Sequence, residues 1–464
     1  MKKKLLEKDG FYLALFVCIC LVAIGGVWFT KNNVDELTSN DLFVNKTNEN
    51  SKRDEDEVHL IEKEAEKEIK ENKKESDSNV TEITYWAMST QQDNYEPVVE
   101  AFNKENKDIK VNISYHDTDG IKDACKVAAS SKTLPNMWFN WGGSLGGFYV
   151  ENGLTYNLND LAKEYNWSDK FNENALELCT YDGVISGYPS SYNILGVFYR
   201  KDMFEKYAIE VPETLEEFEA ACETLKENGI TPMYAGGLNG WHVMRYVELL
   251  IEYYAGAEAH DAMNTFNESY DNEAVTKAFE KFKEWVDKGY FPKGFVTLDA
   301  NDTLMPLSSG ECAMTIEGQW QDSNIVKNGL DMEQYGAFAF PSGGNNRLSS
   351  FADMIQFNAE NTEEETRAGI EFLSYYFGHV LDYTDSYGLP MPTKDSPMPE
   401  GQPNVPILIK EGEENGTFTI TDQAFPTEVA DVLFNCQDAV ANGEMQPDEV
   451  GGKIQEAIDS YNSK

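Results

Sequence analysis

The sequence predicts an α/β protein whose two-lobed body is carried on an apolar N-terminal segment and a charged linker. Three observations predict it. From Thr81 onward, strand-like and helix-like stretches alternate. At roughly 100–200 residues per domain, 464 residues make two or three domains, or one large body with two lobes. Residues 1–80 differ sharply in composition from the rest. The hydrophobic fraction is 41%, enough for a sizeable core. Lys plus Arg number 38 against 81 Asp plus Glu, a formal net charge of −43. A phosphate backbone repels such a chain, so nucleic acid is excluded as a partner.

Lys2, Lys3, Lys4 and Lys8 precede an uncharged run at 11–29, FYLALFVCICLVAIGGVWF. A helix needs about 20 such residues to cross a bilayer. The basic flank predicts a cytoplasmic N-terminus (1–10) and an extracytoplasmic remainder. The run therefore predicts a single-pass anchor in the cell membrane, with Trp28 and Phe29 at the outer interface. Ala23 and Gly25 also supply the small residues of a cleaved signal peptide, so retention and cleavage both stay open. Lipidation needs a Cys after a small residue, whereas Cys18 follows Val17 and Cys20 follows Ile19.

Residues 30–80 carry 9 basic and 15 acidic residues and few aromatics. Such a polymer cannot bury enough apolar area to fold alone. Opposite charges recur at helical spacing over 57–75, which predicts a solvated helix there. As coil, the segment would span roughly 40 Å root-mean-square, the reach of a tether.

The body begins with EITYWAM (82–88), an alternating stretch of strand formers. Val98, Val99 and Phe102 mark one helical face, and IKVNISYH (109–116) reads as strand again, giving a βαβ unit and a mainly parallel sheet. A helix near 120–132 and a short strand at 137–141 follow. Residues 181–209 read as a Gly-turn hairpin, two crossing strands and a helix. Thr214 with Glu217 three residues on is a capping box, and the helix it starts stops at Gly229. Amphipathic spacing predicts further helices at 243–256, 272–288, 363–377 and 447–461.

Motifs for chemistry are few. Gly142-Gly143-Ser144-Leu145-Gly146 matches G-x-S-x-G, the nucleophile elbow of hydrolases, but that mechanism also needs an acid and a His. His242, His260 and His379 follow in no recognisable motif, so a loop turn is the plainer expectation. Neither a zinc nor a nucleotide motif is present, and no metal or cofactor is expected. Asp299, Asn301 and Asp302 lack the Gly and Glu of a calcium loop and read as a polar turn. Cys125, Cys179, Cys222, Cys312 and Cys436 form no CxxC pair and read as small buried residues.

Tryptophan stands out instead. Trp86, Trp141, Trp241 and Trp320 lie beside Asn, Gln, Gly and Ser at predicted strand ends or loops, whereas Trp138, Trp167 and Trp285 read as core. In open α/β sheets ligands bind beyond the carboxyl ends of strands. Aromatic faces there stack on sugar rings while amides and carboxylates take the hydroxyls.

With these stretches in view, the chain from about residue 82 onward resembles the family 1 extracellular solute-binding proteins of ABC importers, the maltose-binding-protein-like group. The matching stretches run in family order: ITYWAM, FNKENKDIKV, LPNMWFNW, then DGVISGYPSSYNILGVFYRKDMFEKYAIEVPETLEEFEAACETLKENGITPM, the most specific, then LSSGECAMTIEGQWQ and YGAFAFP. The resemblance implies a periplasmic-binding-protein-like fold of two α/β lobes joined by crossing strands, with ligand in the cleft. Lobe one would be about 81–190 plus 350–388, and lobe two about 195–345 plus 390–464. Cleft positions carried over from the family are Trp86, Asn140, Trp141, Tyr192, Trp241, Trp320 (the Trp of the G-x-W motif) and Asp353.

The function this implies is extracytoplasmic capture of a carbohydrate and its delivery to ABC permease subunits, without catalysis. Family members in monoderm bacteria are usually lipid-anchored, and here the apolar run and linker stand in for the lipid. That departure keeps open a sensing or wall-contacting module without transport, and Ser144 keeps an esterase-like enzyme as a third reading. With few basic residues, a neutral sugar is expected. Arg245 and Arg347 are the residues that would meet an anionic one.

Overall fold

The computed structural model describes residues 80–384, 392–395 and 400–464. The expected anchor at 11–29 and nearly all of the linker lie outside these residues, as does 385–391, near the expected lobe boundary. Among the described residues no helix is long and apolar enough to cross a membrane. Val80–Lys464 is one compact unit.

Its spine is a mixed sheet of nine strands. Strands β1 (Thr81–Met88), β2 (Ile109–His116) and β3 (Met137–Trp141) come first in the chain. β4 (Thr180–Tyr181) and β5 (Val184–Ile185) make a separate hairpin, turned by Asp182 and Gly183. β6 (Gly187–Arg200), β7 (Thr231–Tyr234), β8 (Cys312–Gly318), β9 (Tyr335–Phe338), β10 (Leu348–Phe357) and β11 (Thr417–Thr419) complete the order. Side by side the main path runs β2-β1-β3-β10-β6-β8-β7, with β11 on β10 and β9 on β6. β1 is parallel to both β2 and β3, as the βαβ pattern predicts, and β7 is parallel to β8. The long strands β6 and β10 are antiparallel to each other, with a register shift between Asp353 and Met354.

Two apolar cores lie along this sheet. The first packs Ile83, Tyr85 and Trp138 from the β1–β3 sheet against Val98 and Phe102 of the Gln92–Glu105 helix and Phe372 and Tyr376 of the Glu363–Tyr383 helix. Tyr95 stacks on Tyr376 with centroids 4.1 Å apart. The second packs Met233 and Ile316 against helices Leu215–Glu227, Trp241–Ala255, Glu273–Asp287 and Thr427–Ala441. In the Glu273–Asp287 helix the buried residues are Val275, Ala278, Phe279, Phe282 and Trp285, one stripe at helical spacing. Each fully buried aromatic or aliphatic side chain contributes about 1.5–3 kcal/mol. Both crossing strands serve both cores: β6 gives Tyr188 to the first and Leu195 and Val197 to the second, and β10 gives Ile355 to the first and Phe351 to the second.

The helix start predicted at Thr214 is built as expected. Thr214 Oγ1 accepts from the Glu217 amide while Glu217 Oε2 accepts from the Thr214 amide, both at 3.2 Å. Thr362 and Glu365 repeat the arrangement. All five body cysteines are buried and free, and Trp138, Trp167 and Trp285 are core residues.

Candidate functional site

Between the two cores lies a cavity of about 220 Å³. Its walls are the ends of strands and the helices that follow them. Met88 ends β1, Trp141 ends β3, and Glu317 stands at the end of β8. This is the carboxyl-end position at which open α/β sheets take ligands.

Three tryptophans from separated segments face it: Trp141, Trp241 at the start of the Trp241–Ala255 helix, and Trp320 at the start of the Trp320–Lys327 helix. The G-x-W motif has a steric cause. A Cβ on Gly318 would lie 2.0 Å from Cζ3 of Trp320, so only glycine lets that ring fold back over the strand end. Arg245, one turn beyond Trp241, lies against both rings, 4.8 Å from the Trp241 centroid and 5.5 Å from that of Trp320. Its Nη1 donates to the Ile316 carbonyl at 2.9 Å and to Glu317 Oε2 at 3.0 Å. Lys122 Nζ stands 4.6 Å from the Trp141 centroid.

The polar lining is unevenly satisfied. Asp353 is buried, and its Oδ2 accepts from Ser191 Oγ at 2.6 Å and Asn193 Nδ2 at 2.9 Å. Its Oδ1 is buried with no hydrogen-bond partner. The same holds for the donors Trp241 Nε1 and Arg245 Nε and for the acceptors Gln423 Oε1 and Asn94 Oδ1. Burial raises the Asp353 carboxyl to about 6 against the pull of the Ser191 and Asn193 hydrogen bonds. Burial also raises Asp422, opposed by Lys122 and Arg245.

Of the seven residues expected in the cleft, the fold brings four together: Trp141, Trp241, Trp320 and Asp353. The other three do not line the cavity, and strand alternation explains two of them. Phe139 and Trp141 face the cavity, so Asn140 between them faces away and donates to Gln356 Oε1 at 2.7 Å. Asp353 lies opposite Ser191 in the β6–β10 register and is bonded to Ser191 and Asn193. The intervening Tyr192 points to the other face, where its hydroxyl meets Ser350 and Thr417. Trp86 shares a face with Met88 but sits two residues deeper, against His116 at 5.0 Å between centroids. Arg347 is also elsewhere, in an ion cluster with Glu252 and Asp261.

Residues not named as cleft positions from the sequence complete the site: Lys122, Phe139, Glu317, Phe351, Asp422 and Gln423. They come from five segments scattered over 300 residues, so no local pattern marks them. The G-x-S-x-G stretch is a packing turn. Ser144 Oγ donates to the Phe425 carbonyl. A Cβ on Gly143, at φ +62°, would meet the Gln423 carbonyl oxygen at 2.2 Å. His242 is bonded to Gly236 and Ile316, His260 to Glu252, and His379 to Asp382, so none of them serves Ser144. The 299–302 stretch is the expected turn, with the Asn301 amide on Asp299 Oδ1.

The bacterial extracellular solute-binding proteins match this chain over residues 98–396, and the chain belongs to that family. It is 26% identical to the multiple sugar-binding protein of Streptococcus mutans over 260 residues, which is 53% of this chain and 58% of that protein. It is 26% identical to the melibiose/raffinose/stachyose-binding protein of Bacillus subtilis over 172 residues, 35% of this chain and 38% of that one. The matches thus span little more than half the length of the first relative and less of the second. The structure of a chitin oligosaccharide binding protein superposes with a TM-score of 0.75 at 23% identity, covering 83% of this chain and 100% of that one. The fold is therefore the α/β, periplasmic-binding-protein-like one.

Proposed function

We propose that the chain is an extracytoplasmic carbohydrate-binding protein that hands its ligand to the permease of an ABC importer. The observation that carries the reading is one cavity in which three tryptophan faces surround buried donors and acceptors that have no protein partner. A sugar has that mixed character: C–H faces for aromatic rings, and hydroxyls that both give and accept hydrogen bonds. The names of the two sugar-binding relatives support the same class. Trp141, Trp241, Trp320 and Asp353 would contact the ligand.

The charges of the lining favour a neutral sugar. Glu317 answers Arg245 at 3.0 Å, and Asp422 lies in the field of Lys122. The two cores would act as the lobes that close on ligand, hinged at β6 and β10. Residues 11–29 would anchor the body to the membrane and 30–80 would tether it. Family membership points to binding, and Ser144 is committed to a backbone carbonyl, which argues against an esterase.

A thermal-shift screen of the full chain against mono- and oligosaccharides, polyols, amino acids and peptides tests this. A neutral saccharide at 100 times its Kd should stabilise the chain by about 2.7 kcal/mol. A shift with amino acids or peptides alone would overturn the carbohydrate reading. Silence across the panel would move weight to a sensing or wall-contacting role.

A further inference from the structure

One face of the Trp241–Ala255 helix carries Trp241, Arg245, Glu248 and Glu252, spaced by single turns. The first two line the cavity, and the last belongs to the Arg347 cluster. Glu248 has neither role. It is fully buried, and its Oε2 accepts from the Thr421 amide at 2.8 Å and from Thr421 Oγ1 at 2.9 Å.

Thr421 stands inside a segment that forms another wall of the cavity. Ile420, Asp422 and Gln423 line that wall, whereas Thr421 is fully buried. The segment is held from several sides. The Ile420 amide donates to the Ser350 carbonyl at 2.9 Å, and Gln423 Nε2 donates to the Ala352 carbonyl at 3.2 Å, both on β10. Ser144, whose helix packs Tyr149 into the first core, donates to the Phe425 carbonyl. Glu248 is the group that joins the segment to the helix of Trp241 and Arg245.

We infer that Glu248 is a positioning residue for the ligand: it fixes the wall of Ile420, Asp422 and Gln423 relative to that of Trp241 and Arg245 without lining the cavity itself. The inference rests on the carbohydrate reading above and goes beyond the residues that would meet the sugar. Its physical cause is the cost of leaving a buried donor unanswered. Without Glu248, the Thr421 amide and hydroxyl lose their acceptor in a place closed to solvent. The segment must then shift to recover one, and Asp422 and Gln423 move with it. A preorganised site holds such groups to about 0.5 Å.

The test is calorimetric titration of the full chain with raffinose, maltotriose and diacetylchitobiose, as wild type, Glu248→Gln, Glu248→Ala and Thr421→Val. Gln keeps an acceptor for both Thr421 donors. It also matches the charge at neutral pH, because burial pushes the Glu248 carboxyl up to about 8 against the pull of its hydrogen bonds. Glu248→Gln should therefore bind within about twofold of wild type. Glu248→Ala should bind about tenfold more weakly. Thr421→Val deletes the hydroxyl alone and should bind about three- to fivefold more weakly.

Gln423→Ala separates positioning from general support. In that background Glu248→Ala should cost no more than about threefold, because a contact through which it acts is gone. A tenfold loss that persists there overturns the inference, and so does a folded Glu248→Ala chain with wild-type Kd. If Glu248→Ala does not fold, an unchanged Kd in Thr421→Val overturns it. Each of these results leaves the carbohydrate reading standing.

Silence of the wild-type chain with all three sugars would count against the carbohydrate reading instead, and a ligand-free measurement then decides on Glu248. Amide hydrogen exchange over 420–425 should be at least about tenfold faster in Glu248→Ala (or in Thr421→Val, should the first not fold) and unchanged over β1 and β3. Unchanged exchange over 420–425 overturns the inference. Faster exchange throughout both cores does so too, because Glu248 would then support the whole fold rather than one wall.

Discussion

Two arginines begin from the same place in the sequence argument, as basic residues close to pocket segments, and end in opposite circumstances. Arg347 is saturated. Its Nε and Nη2 reach Glu252 at 2.8 and 2.9 Å, and its Nη1 and Nη2 reach Asp261 at 2.8 and 3.0 Å. His260 closes the cluster on Glu252 at 2.8 Å. Arg245 donates through Nη1 to Ile316 and Glu317; its Nε is buried and unpartnered, and its guanidinium lies against two tryptophans. A cluster with every group answered by the protein is there for the fold. A cluster at a cavity with groups left over is open to whatever enters it, as the proposed sugar would.

The largest expected effect breaks the saturated side. Arg347→Ala leaves Glu252 buried without its cation, a loss of about 3–5 kcal/mol, read as a lower denaturation midpoint, with sugar affinity unchanged in the fraction that folds. Acidification has a related effect there. Burial pushes Glu252 up, but the hydrogen bonds from His260 and Arg347 outweigh it and hold the carboxyl below its ordinary value. A depressed carboxylate contributes stability above its unfolded pKa, near 4.3, that is lost as pH falls through the folded value. Asp353 has the opposite sign.

On the unsaturated side, Trp241→Ala should cost about 1.4 kcal/mol or more of binding free energy, at least tenfold in Kd. Its stability cost should be small, because the ring is half-buried at a helix start. Equal losses of stability and affinity would erase the contrast between the two arginines. The smallest effect is Ser144→Ala. It removes one hydrogen bond to the Phe425 carbonyl, about 0.5–1.5 kcal/mol of stability, and should leave sugar affinity alone.

The elements were largely legible in the sequence because their causes are local. The Thr214–Glu217 capping box, the stripe from Val275 to Trp285 and the alternation at 82–88 each act within a few residues. Tryptophan beside polar neighbours marked Trp141, Trp241 and Trp320, which line the cavity, and Trp86, which does not; Asp353 came only through the family resemblance. Adjacent positions on a strand cannot share a face, so Asn140 and Trp141 could not both line the cavity. The same rule separates Tyr192 from the face that holds Ser191 and Asn193. Glu317 lay within a family-like stretch but carried no signal of its own. Asp422 and Gln423 sit in the Thr421–Ala424 turn of helix after β11, which reaches the site by pairing β11 with β10, and no run of sequence encodes that pairing.

The proposed place of sugar binding is the tryptophan cavity. Intrinsic fluorescence of the full chain, titrated with neutral oligosaccharides and compared with Trp320→Ala, tests it most directly. Binding there should give a saturable change in tryptophan emission in the wild-type chain and, in the variant, a Kd at least about tenfold weaker with most of that change lost. An unchanged Kd in a well-folded Trp320→Ala chain would contradict it, because the sugar would then bind somewhere other than between the two cores.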